Sequence, residues 1–137
     1  MEQKKWQKNK GAQYARAATQ SESQQQQALF KWVAYAKRFT PELENLFAIP
    51  NGAHVSMNNR KRLIREGLRS GVPDLFLAVP RANFAGLFIE LKRDKKAILG
   101  ESQKKWIKKL KKAGYAAGVC YGFNQTVECI NEYLNKQ

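Results

Sequence analysis

Two apolar segments that carry acids within them constrain this chain most. Residues 71–79 read Gly71-Val72-Pro73-Asp74-Leu75-Phe76-Leu77-Ala78-Val79, and residues 86–92 read Gly86-Leu87-Phe88-Ile89-Glu90-Leu91-Lys92. Both read as strands, and the turn-like stretch 80–86 between them predicts an antiparallel pair. Side chains alternate along a strand, so Glu90 and Lys92 share one face and Leu91 takes the other. Asp74 then comes within reach of Glu90 across the ladder. Two carboxylates and an amine walled by Leu, Phe, Ile and Val are costly unless a cation or a substrate uses them. A surface ion pair between Glu90 and Lys92 is the simpler alternative. It fits poorly, because Leu87, Phe88, Ile89 and Leu91 leave neither face of the segment with a solvent-facing pattern.

The remaining chain supplies helices around these strands. Ser21 can cap a helix beginning at Glu22, on which Ala28, Leu29, Trp32, Val33 and Ala36 form one apolar stripe. Glu22 and Gln26 extend that stripe towards the helix start. Glu22 has two readings, a favourable charge at a helix N-terminus or a third acid delivered to the Asp74–Glu90 pair. Thr40-Pro41 ends the helix. Residues 46–49 read as a short strand closed by Pro50-Asn51-Gly52, and the lone histidine, His54, reads as a loop residue.

Residues 60–69 predict a short basic helix with Leu63, Ile64 and Leu68 inward. Its cations, Arg60 and Arg62 among them, face either solvent or phosphate. After a loop at 93–100, a helix over 101–113 buries Trp106, Ile107, Leu110 and Ala113. Gln103 falls on the same stripe in its first turn and needs hydrogen-bond partners there. Gly114 suits the position after the helix end. Residues 116–121 make a strand of small residues suited to a covered interior position, and 124–135 a closing helix. The order predicts an α/β fold, a small mixed sheet flanked by helices. The 86–121 unit is a crossover that sets its last strand parallel to the Glu90 strand.

Charge placement then points to a partner. The chain is 137 residues with a net charge of +14. Ten Lys/Arg against Asp94 and Glu101 fall within residues 92–112, and five against Glu2 within residues 1–20. A positive field that begins at Lys92 itself suits a polyanion. Residues 1–20 read as a basic flexible tail carrying the isolated aromatics Trp6 and Tyr14, and residues 21–137 as one domain. No apolar run approaches the roughly eighteen residues of a membrane span, and the first residues lack the apolar stretch of a secretion signal. Cys120 and Cys129 show no metal-ligand spacing and read as reduced thiols, so a cytoplasmic setting is expected.

Five short words in order carry a resemblance: Ser21-Glu22-x-x-x-Gln26, Pro50-Asn51-Gly52, Gly71-Val72-Pro73-Asp74, Ile89-Glu90-Leu91-Lys92-Arg93 and Gln103-x-x-Trp106, followed by Gly114-Tyr115. The pattern resembles the PD-(D/E)xK nuclease superfamily, and most closely the VRR-NUC nucleases, often small stand-alone phage proteins. It spans about residues 21–135. The resemblance implies a restriction-endonuclease-like αβββαβ core. It implies Mg²⁺ or Mn²⁺ as cofactor, which suits oxygen ligands better than Zn²⁺ would. Asp74, Glu90, the Leu91 backbone carbonyl and, directly or through water, Glu22 would be the metal ligands.

Lys92 would act as base or as charge clamp, Gln103 would hold the lysine or the attacking water, and Gln26 would support the site from behind. Arg60, Arg62, Arg93, Lys95, Lys96, Lys104, Lys105 and Lys108 are the candidate DNA contacts. The expected activity is a metal-dependent, structure-selective DNA endonuclease, acting on branched DNA such as four-way (Holliday) junctions, as a homodimer and without a membrane. If phage-encoded, it would work in the host cell cytoplasm. The alternatives are a non-catalytic basic nucleic-acid-binding protein and an RNA endonuclease.

Overall fold

Ser21 starts the first helix by satisfying two donors that would otherwise lack partners. In the computed structural model, which describes residues 20–51 and 55–137, its hydroxyl accepts the Gln24 N–H and the Gln24 side chain accepts the Ser21 N–H. The expectations for residues 1–19 and for His54 lie outside the described residues. The helix, α1 (Glu22–Ala36), stops short of Thr40. Pro41, with its fixed φ, instead opens a short 3-10 turn, Pro41–Asn45. There follow β1 (Leu46–Ala48), α2 (Met57–Arg65), β2 (Leu75–Leu77), β3 (Leu87–Lys92), α3 (Glu101–Lys112), β4 (Ala116–Tyr121) and α4 (Gly122–Leu134).

The four strands form one mixed sheet in the order β1-β2-β3-β4. β2 is antiparallel to β1, with Phe47 opposite Phe76, and antiparallel to β3, with Leu75 opposite Ile89. β4 runs parallel to β3, pairing Leu87 with Ala116 through to Lys92 with Tyr121. This is the α/β order expected, with α2 inserted between β1 and β2 and α4 closing the chain.

Strand alternation sorts the two faces. Leu75, Leu77, Leu87 and Ile89 point into a cluster with Leu29, Trp32 and Val33 of α1 and Phe123, Ile130 and Tyr133 of α4. Enclosing each such side chain contributes about 1.5–3 kcal/mol. The opposite face carries Phe76 and Phe88, stacked at 4.2 Å between ring centroids, with Phe47 and Tyr115 edge-on. Glu90 and Lys92 continue that face towards α3.

Several expectations change. The first strand of the acid-bearing pair is three residues long, not nine, because Gly71 and Pro73 hold the chain off the ladder before Asp74. The basic helix runs over Met57–Arg65 rather than 60–69 and buries none of its residues; Ile64 is exposed, not inward. β4 is an edge strand, half-buried rather than covered on both sides, because no strand lies beyond it among the described residues. On α3 only Leu110 is fully buried, and Ala113 lies exposed at the helix end. α4 begins at Gly122, two residues earlier than expected.

Candidate active site

The antiparallel register brings the two acids together. Leu75 pairs with Ile89, so Asp74, one residue ahead of β2, stands opposite Glu90. Its carbonyl accepts the Ile49 N–H at 2.7 Å, which carries the β1 pairing one step beyond the strand. Its carboxylate oxygen Oδ2 accepts the Leu91 N–H at 2.8 Å. The side chain therefore caps β3 where the β2 ladder has ended. Gly71 makes this approach possible. It has φ +89°, and a Cβ there would meet the Ser102 backbone at 2.6 Å, so the loop before Asp74 lies directly on the first turn of α3.

Glu90 is 3% exposed and Lys92 9% exposed. Lys92 Nζ lies 3.6 Å from Glu90 Oε1. Gln103 completes the cluster. Its Oε1 accepts the Gly100 N–H at 2.8 Å, which aims its amide nitrogen at Glu90 Oε1, 2.6 Å away. Gln103 was expected to hold the lysine or a water; among the described contacts its amide donates to Glu90. Its capping bond to Gly100 turns the donor onto Glu90.

Both acids hold their protons unusually tightly. Burial pushes the Glu90 carboxyl up to about 7, and repulsion from Asp74 adds to it, against the pull of Lys92. Asp74 is also raised, first by burial and then by Glu22, while the bond from the Leu91 N–H opposes the shift. Such paired upward shifts mark carboxylates that a further cation would relieve.

Glu22 and Gln26, one turn apart on α1, line an open cleft of about 380 Å³ together with Phe30, Asn51, Asp74 and Leu91. Glu22 Oε1 accepts the Arg93 N–H at 3.3 Å. Among the described residues, no three acidic, histidine or cysteine side chains converge as a metal-binding group. Glu22 thus stands at the rim of the cleft, and only Asp74 and Glu90 form the compact acidic pair. The physical reason is its bond to Arg93, which holds the carboxylate beside the end of β3.

Gln25 escaped the sequence reading. It is 1% exposed and joins three backbone positions. Its Nε2 donates to the Gln20 and Arg93 carbonyls, both at 3.1 Å, and its Oε1 accepts the Phe123 N–H at 2.8 Å. Gln25 and Glu22 thus grip the two sides of the Arg93 residue immediately after Lys92. The available signal was spacing, since Gln25 lies four residues before Leu29 on the core stripe.

The candidate DNA contacts spread around this centre. Arg93, Lys95 and Lys96 are exposed on the loop after β3, with Arg93 paired to Asp94. On α3, Lys104, Lys105 and Lys108 are exposed, and Lys104 is paired to Glu101. On α2, Arg62 is exposed and paired to Glu66, while Arg60 is half-buried. Cys120, opposite Leu91 in the sheet and packed in the core, and Cys129 are free thiols. Among the described residues no helix is long and apolar enough to cross a membrane.

A family profile described as the VRR-NUC domain matches residues 9–124. A solved structure described as a VRR_NUC domain protein is similar at a TM-score of 0.69 and 27% identity, over 84% of this chain and 88% of that one. No curated protein matches the chain.

Proposed function

The chain belongs to the VRR-NUC domain family, a nuclease-type family, and from that premise we propose that it is a Mg²⁺- or Mn²⁺-dependent endodeoxyribonuclease selective for branched DNA. The observation that carries this reading is the half-buried Asp74 paired with the buried Glu90 beside an open cleft in a chain of net charge +14. Setting a second like charge against a buried carboxylate is unfavourable unless something compensates. Lys92 supplies one positive charge, and the raised proton affinities indicate that this is not enough.

The donor chemistry fits a hard divalent cation. Two carboxylates and the Leu91 carbonyl are oxygen ligands, and Mg²⁺ is commonly held by one or two carboxylates with water filling the rest. Glu22, at the cleft rim, would act through water. When bound, the ion supplies charge neutralisation on the phosphate and acidifies a water molecule. The chain's own groups do the rest. Asp74 and Glu90 hold the ion, Gln103 fixes Glu90, and Gln26 lines the cleft where the strand would enter. Lys92 Nζ, 3.6 Å from Glu90 Oε1, orients the attacking water and steadies charge developing on the phosphate.

The described residues offer one such site per chain, so cutting two strands of a junction calls for two copies, and a two-fold dimer is part of the proposal. Exposed Lys and Arg would hold phosphates. With about six such contacts, log K against log salt falls with a slope of roughly −5.

The test is cleavage of four-way, flap and linear DNA with Mg²⁺ or Mn²⁺. The expected result is cutting of a branched substrate that EDTA stops, with Asp74→Ala binding DNA but not cutting it. Absence of cutting by the wild type with either ion would leave a binding protein. Cutting of matched RNA alone would reassign the substrate.

A further inference from the structure

Among the described residues, little holds the helix α2 in place; only Arg60 and Leu63 on it are even half-buried. It is nine residues long, and none of them is buried. Isolated helices shorter than about 12–15 residues are marginal in water. Its local supports are small. Ser56 caps it by accepting the Asn59 N–H at 3.3 Å, and Arg62 pairs with Glu66 at 3.1 Å, a single cap and a solvent-exposed ion pair.

Its outer face is also unusual. Met57, Lys61 and Ile64 are spaced by four and three, so they share one side of the helix. Met57 is 74% exposed, Ile64 45% exposed, and Val55 just ahead of the cap is exposed as well. Two large apolar side chains thus flank a lysine in open water. The helix carries Arg60, Lys61, Arg62 and Arg65 and no acid. A second copy would bring the same charges against it, within chains that each already carry +14. The complementary partner is therefore a polyanion, and the apolar side chains on either side of Lys61 need more than phosphate.

We propose that α2 docks on a nucleic acid strand at a point where a base has lost its stacking neighbour. Met57 and Ile64 cover base surface exposed on either side of Lys61, and Lys61 and Arg65 hold the adjoining phosphates. Apolar side chains are the residues that enter unstacked base steps in nucleic acids. This placement deepens the nuclease reading, on which it rests for the identity of the polyanion. It assigns α2 the part of finding the branch while Asp74 and Glu90 act on the strand.

The test uses the full chain in EDTA, so that cleavage does not intervene. Amide hydrogen exchange of residues 57–65 is measured with a four-way DNA junction, with linear duplex of equal length, and across a protein concentration series without DNA. The expected result is at least fivefold slower exchange on the junction and little change on the duplex. Met57→Ala combined with Ile64→Ala weakens junction binding by tenfold or more and duplex binding by less than twofold, with an unchanged thermal midpoint.

Unchanged exchange on saturating junction overturns the proposal, as does equal weakening on both DNAs or no binding to either. Protection that grows with protein concentration alone would make the occupant a second copy, and also overturns it. If α2 behaves as expected but no metal-dependent cutting is found, the docking role stands and the nuclease reading falls. Cutting with an indifferent α2 gives the reverse.

Discussion

Gln103 reaches Glu90 at 2.6 Å while its own carbonyl is tied to the Gly100 N–H. A side chain fixed at one end and donating at the other holds the carboxylate in a single orientation and favours its charged form. Replacing Gln103 with alanine should therefore raise the proton affinity of Glu90 further. The expected outcome is Mn²⁺ binding weakened about tenfold or more, with the acid limb of the binding curve moved to higher pH. Isothermal calorimetry across a pH series measures both. Unaltered affinity and pH dependence would show that Gln103 does not govern the site.

Asp74→Asn keeps an oxygen for the Leu91 N–H and removes the like charge that faces the buried Glu90. In metal-free buffer at pH 8 the variant should be more stable than the wild type, by about 1 kcal/mol or roughly 3 °C in thermal midpoint. Divalent ions should stabilise the wild type and not the variant. A variant less stable than the wild type without metal would contradict the assigned cost of the pair.

The pH dependence of the metal-free protein follows from Glu90. Its carboxyl is raised from 4.5 to about 7, so between those values the folded state keeps a proton that the unfolded state has released. Stability from this group is complete below pH 4.5 and is lost as pH rises through 7, a fall on the order of 2 kcal/mol. Asp74, raised as well, contributes in the same direction. Urea unfolding at pH 5 and pH 8 checks the sign, and Mg²⁺ or Mn²⁺ should narrow the difference.

Gln25→Ala removes a side chain that satisfies the Gln20 and Arg93 carbonyls and the Phe123 N–H. Leaving these groups without their partner should cost roughly 3 kcal/mol. Gln26→Ala, at the neighbouring but cleft-facing position, should change stability by less than about 0.5 kcal/mol. Denaturant midpoints of the two variants separate the structural glutamine from the cleft glutamine.

Gly71→Ala introduces a Cβ where φ is +89° and the Ser102 backbone is 2.6 Å away. Either the loop or α3 must shift, at a cost of roughly 2 kcal/mol. Because Asp74 follows three residues later, Mn²⁺ affinity should fall along with stability. Gly67, also at positive φ but with open space around it, is the control, and Gly67→Ala should lower stability alone.

The facing of Asp74 and Glu90 was legible because the period of a strand is two and the loop between the segments is short. Once the strands pair, few registers keep Leu75, Leu77, Leu87 and Ile89 on one side. Gln103 was legible by the same logic at helical spacing, though not its choice of Glu90 as acceptor, which depends on the cap at Gly100. Gln25 was not found, since two neighbouring glutamines each step onto the apolar stripe and only packing against α4 separates them. Ile64 was misplaced because periodicity marks an apolar side of a helix without saying whether anything lies against it.

The order of residues along this chain determined which elements form, which face of β3 carries the acids, and where positive charge accumulates, because each of these depends on contacts between near neighbours. Among the described residues, tertiary structure alone decided that β4 is an edge, that the Glu22 carboxylate accepts the Arg93 N–H beside the acidic pair, and that α2 is left exposed. Those outcomes depend on distances between segments far apart in the chain, which side-chain spacing does not encode.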